Sequence, residues 1–148
     1  MGELGIAVIE RYTERFDDAL KTMVADASAS AMALLDFYTT PYLKFSETAD
    51  KVCLSGALAG EIMALPADMR QRVEHFFGAH QAWLKLIIER GVASGEFHLT
   101  VPSTQMARLA FGAQQGALLV KRATGDTSQL KDVIAVLKVQ LVGGQGCG

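Results

Sequence analysis

The chain has 148 residues, enough for one domain with a true core. Half of the residues are hydrophobic and the mean hydropathy is +0.22, which predicts apolar surface buried against a partner. Fourteen Lys and Arg face sixteen Asp and Glu, so the chain carries no basic footprint for a nucleic-acid backbone.

Cys53 and Cys147 lie far apart, which argues against a structural disulfide and for a reducing compartment. Glu3 interrupts the N-terminus and no apolar run reaches the roughly 18 residues of a membrane span. The expectation is a cytoplasmic protein with no membrane partner.

Strand-like alternation is nearly absent and prolines occur only at 41, 66 and 102, so the predicted fold is all-α. A first helix is expected over Glu3–Val24, with Ile9, Tyr12, Phe16, Leu20 and Met23 on one face. Glu10, Arg11, Glu14 and Arg15 form its solvated side. A second helix starts at a cap on Ser28 or Ser30 and carries Met32, Leu35, Tyr38, Tyr42 and Phe45. Pro41 predicts a kink or an end there, because it lacks an N–H and crowds the carbonyl of Phe37.

A short third helix is expected over Val52–Leu65, with Gly56 and Gly60 permitting close approach. Pro66 and Asp68 mark the start of the longest helix, Ala67–Ala93. Its apolar face is Val73, Phe76, Phe77, His80, Trp83, Leu84, Ile87 and Ile88, and Gly95 is the better C-terminal glycine. A fifth helix opens at Pro102-Ser103 and runs to Arg122. A sixth follows the Gly125-Asp126-Thr127 turn with the stripe Leu130, Val133, Ile134, Leu137 and Leu141. Residues 1–142 are thus expected to form one six-helix domain, with a flexible glycine-rich tail over 143–148.

Catalytic and metal chemistry find little support. No Glu is followed by His three residues later, as a di-metal carboxylate bundle requires. His75 and His80 are five apart, which separates them by about 140° on a helix. His98 has no evident partner, and neither a phosphate-cradling loop nor a G-x-S-x-G elbow occurs. No metal, cofactor or enzymatic role is therefore expected. Cys53 reads first as a buried thiol, with a sensing thiol as the sharper alternative.

Two non-catalytic features stand out. Tyr12, Tyr38, Tyr42, His80, Gln81 and Trp83 place polar tips among apolar bodies, as small-molecule pockets do. With Phe16, Phe77 and Leu84 they form the expected pocket for an apolar or aromatic effector. Each could equally be core. Gly112 and Gly116, bordered by Ala113 and Ala117, make a smooth helix face suited to a close crossing, either internal or between copies. The apolar last helix favours a four-helix dimer seam, expected from Ala110, Gly112, Ala113, Gly116, Leu119, Leu130, Ile134, Leu137 and Leu141.

The segments Cys53–Glu61, Leu65-Pro66, Phe76-Phe77, Trp83-Leu84 and Gly91–Phe97, in that order, resemble the C-terminal domain of TetR/AcrR-type transcriptional regulators. Gln115–Arg122 is similar to the dimerisation helix of that family, and Leu4–Tyr12 to the helix that follows its DNA-binding head. The resemblance spans about residues 3–142. It implies helices packed around an effector pocket and a homodimer through the last two long helices. It also implies that a ligand moves the first helix and so changes the spacing of two helix-turn-helix heads on operator DNA. The head would precede residue 3, so operator binding is expected only through that N-terminal domain. A free-standing binding or adaptor protein, or a headless heterodimerising regulator, is the alternative the same residues allow.

Overall fold

The computed structural model describes residues 3–26, 28–46 and 66–143. All regular elements among them are helices: α1 (Glu3–Ala25), α2 (Ala31–Ser46), α3 (Ala67–Ser94), α4 (Ser103–Thr124) and α5 (Ser128–Gly143). The helix expected over Val52–Leu65, together with Cys53, and residues 144–148 of the tail lie outside the described residues. No described helix is long and apolar enough to cross a membrane.

Local signals set the helix ends. Ser30 caps α2, its Oγ accepting the Ala33 N–H at 3.0 Å. Pro66 and Pro102 precede α3 and α4 with φ near −57° and extended ψ, where a missing N–H is harmless. Gly95 and Gly125 close those helices in the left-handed region, at φ 85° and 76°. Gly91 serves a different need: the Phe97 ring lies where its Cβ would be. The Phe97 N–H also donates to the Gly91 carbonyl at 2.9 Å.

Of the two outcomes expected at Pro41, the helix does not end there, and α2 runs on to Ser46. Proline removes a single intrahelical donor at a local penalty of about 3 kcal/mol. Complete burial of Leu34, Leu35 and Tyr38 on the same helix outweighs it.

The helices enclose one core, whose fully buried members include Leu20, Tyr38, Leu84, Ile87, Phe97, Leu118 and Leu130. α3 packs on α4 and α4 on α5, while α1 and α2 both lie against α3. The loop after α3 is tied to α5 by the His98 N–H, which donates to the Leu141 carbonyl at 2.8 Å.

Candidate functional site

Aromatic rings from four helices meet in the core. Phe16 of α1 lies 4.5 Å from Trp83 of α3 between ring centroids, and stacks on Phe37 of α2 at 5.0 Å. Tyr38 meets Phe16 edge-on at 5.8 Å. On α3, His80 touches Phe76 at 4.4 Å and Trp83 at 4.9 Å. Phe111 of α4 completes the group, 5.5 Å from both Phe77 and His80. Ring pairs at such distances are attractive beyond the area they bury.

Polar tips inside this cluster are paired. The Tyr38 hydroxyl and His80 Nδ1 share a hydrogen bond of 2.7 Å. Burial pushes the His80 pKa down to about 3, so the ring is neutral at physiological pH. The Trp83 indole N–H donates to Asp17 Oδ1 at 2.9 Å. Asp17 also pairs with Lys21 at 2.7 Å, and the hydrogen bond from Lys21 holds its carboxyl below the usual range, followed by that from Trp83.

Of the residues expected in a pocket, the structure gathers Phe16, Tyr38, Phe77, His80, Trp83 and Leu84. Gln81 lies next to His80 in the chain but half-exposed. The side chains of Tyr12 and Tyr42 lie outside the described ones. Sequence reasoning missed Phe37, Phe111 and Asp17 as members of this group. An indole N–H taken out of water needs an acceptor, and Asp17 follows Phe16 directly; that was the available signal.

A second polar assembly fixes the end of α1. The Arg90 guanidinium donates to the carbonyls of Val24 at 2.7 Å, Asp26 at 2.9 Å and Ala29 at 2.8 Å. The Glu96 carboxylate accepts the first N–H groups of α2, from Ala31 at 2.9 Å and Met32 at 3.2 Å. Those bonds, the Ala31 one first, hold the Glu96 carboxyl below its usual range. Arg90 and Glu96 thus hold the α1–α2 turn against the C-terminal end of α3. Sequence reasoning gave neither residue a role: Arg90 looks like an ordinary surface charge, and Glu96 entered only as part of the Gly91–Phe97 segment.

The outward face of α4 and α5 has the opposite character. Leu109 and Leu119 on α4 are 62% and 48% exposed, and Val136 and Val139 on α5 are 57% and 63% exposed. Between α4 and α5 runs an apolar groove of about 310 Å³, lined by Met106, Leu109, Ala113, Val133, Val136 and Gln140 among others. A Cβ added at Gly112 or Gly116 meets nothing within 4 Å. The expectation for the seam needs a correction here. Leu130, Ile134, Leu137 and Leu141 are buried within the protomer, as is Ala110, and they hold α4 and α5 to the core. Helical periodicity reveals an apolar face but not what covers it. The exposed apolar side of α5 is the interleaved set Val136, Val139 and Val142.

Residues 30–137 match the protein family described as tetracyclin repressor-like, C-terminal domain. No curated protein matches the chain. Among solved structures it is similar to a TetR-family transcriptional regulator from Agrobacterium tumefaciens, with a TM-score of 0.81 and 22% identity over 94% of this chain and 73% of that one. A TetR transcriptional regulator from Legionella pneumophila gives a TM-score of 0.77 and 24% identity, over 93% of this chain and 72% of that one. The reduced form of Escherichia coli NemR gives 0.73 and 20% identity, with the same coverages of 93% and 72%. At these identities the solved structures bear on the fold alone.

Proposed function

The chain belongs to the tetracyclin repressor-like C-terminal-domain family, and from that premise we propose that it is the effector-sensing and homodimerising domain of a repressor. A small apolar or aromatic molecule binds in the aromatic cluster of α1–α4. Its binding is relayed through α1 to a DNA-binding head, which carries the contact with operator DNA. Two copies pair through the outward faces of α4 and α5.

One observation carries the relay: Phe16 and Asp17, adjacent on α1, hold the two sides of Trp83, by ring contact and by hydrogen bond. A ligand that displaces the indole therefore acts directly on α1. It shifts the regulator only as far as it prefers one position of α1 over the other. Because the outward face of α4 and α5 is apolar and exposed, an isologous dimer would bury it on both copies at once.

Trp83 is the single tryptophan, so its emission reports on the site without ambiguity. Titration of the chain with apolar aromatic compounds should change Trp83 emission in parallel with a rise in melting temperature. Compounds that raise the melting temperature while Trp83 emission stays flat would place the effector elsewhere and leave Trp83 as core.

A further inference from the structure

Gln114 stands in the middle of the buried face of α4, between Phe111 and Leu118, and is wholly removed from solvent. Its Nε2 donates to the Ala110 carbonyl one turn back, at 3.0 Å. A carbonyl oxygen can only accept, so the end of the amide that faces it is the NH2, and this bond fixes which end is which. The other end, Oε1, is buried with no hydrogen-bond donor among the described residues. An unmet buried acceptor is unfavourable, and a leucine of similar size would avoid it. The amide chemistry at this position, rather than its bulk, therefore calls for a partner.

The neighbours indicate what that partner is. Phe111 precedes Gln114 by three positions, about 60° around the helix axis, and joins α4 to His80 and Phe77. The Trp83 N–H is already committed to Asp17 and the Tyr38 hydroxyl to His80. His80 is uncharged at physiological pH. Lys121, buried two turns further along the same helix, makes no hydrogen bond to Gln114 Oε1. Among the described residues, the groups that Phe111 joins to this face are thus aromatic and, at His80, neutral, with an acceptor to satisfy.

We infer that the effector is an uncharged aromatic molecule bearing an O–H or N–H group, which it donates to Gln114 Oε1 beside Phe111. This rests on the reading of the aromatic cluster as the sensing site and narrows its ligand class to phenol-like or aryl-amine-like compounds.

The test compares phenol with anisole, which keeps the ring and the oxygen but replaces the donated hydrogen by methyl. Both are titrated into the full chain by ligand-observed NMR and Trp83 quenching. Wild type should bind phenol about tenfold more tightly, as one well-placed hydrogen bond implies, although anisole is the more apolar molecule. In Gln114→Leu the preference should vanish while anisole binds as before. The wild-type ratio decides the matter alone if that variant does not fold. Phenol binding no tighter than anisole in wild type overturns the inference and leaves the sensing site standing, as does a preference that survives in Gln114→Leu. If neither compound binds or alters Trp83 emission, the sensing site itself falls and the inference with it.

Discussion

The two sides of α4 differ in what completes them. The inward side, with Ala107, Phe111, Gln114 and Leu118, is closed over by α3 and the rest of the core. The outward side, with Leu109, Gly112, Gly116 and Leu119, has exposed apolar groups and open space above its glycines. Both sides are apolar, so composition alone does not separate them. The inward side holds the fold and the aromatic cluster, whereas the outward side has the character of an interface.

The sharpest contrast is between adjacent residues. Leu118 is 1% exposed and Leu119 is 48% exposed. Leu118→Ala should destabilise the chain by about 2–5 kcal/mol, as buried leucine truncations do. Leu119→Ala should change protomer stability by no more than about 0.5 kcal/mol. Urea denaturation at low protein concentration measures both. Equal losses would erase the distinction between the sides.

Acid should act on the inward side next. His80 has its folded pKa lowered from 6.5 to about 3 by burial. The unfolded chain therefore binds the proton first, and stability is complete above pH 6.5 and declines as the pH falls towards 3. The slope contributed by His80 approaches about 1.4 kcal/mol per pH unit. In His80→Phe this component should disappear from a pH series of melting curves. An unchanged slope would show that His80 is not held neutral in the core.

Glycines give the next smaller effect. Gly91→Ala forces a methyl group into the Phe97 ring and should cost about 1–3 kcal/mol of protomer stability. Gly116→Leu meets open space within the protomer, so the protomer should tolerate it. The same change should weaken the dimer by about 1–3 kcal/mol through overpacking of the seam. An unaffected dimer would move the seam away from Gly116.

The smallest effect belongs to the α2 cap. Glu96→Ala removes the acceptor of two N–H groups and should cost about 1 kcal/mol. Because the Glu96 carboxyl is held below its ordinary value of 4.5, its contribution is present above that pH and lost as the pH falls through the folded value. Amide exchange at Ala31 and Met32 should rise on acidification in wild type relative to the neutral-pH trend, and be high throughout in the variant. Equal protection in both would mean that Ser30 alone caps the helix.

Much of the fold was legible because its signals are local. Ser30, Pro66, Gly95 and Gly125 act on the turn in which they sit, and the structure uses them as the sequence predicts. The aromatic cluster was legible in part, because His80, Trp83 and Phe77 share one face of α3. What the sequence hid were bonds across long separations: Asp17 with Trp83, Arg90 with Val24, and Glu96 with Ala31. Nothing in the vicinity of a surface-like charge announces a partner some 66 residues away. The outward face misled for a related reason. Leu130, Ile134, Leu137 and Leu141 give the cleaner periodicity, yet the core uses them, and Val136 and Val139 are the exposed groups.

The most direct test of this division is sedimentation of the chain and of its Val139→Asp variant across a concentration series. Wild type should run as a species of twice 15.9 kDa. The variant should run as a folded monomer with an unaltered melting transition at low concentration. A wild-type chain that remains monomeric at high concentration, or a variant that dimerises as well as wild type, would contradict the assignment of the outward face of α4 and α5 as the seam.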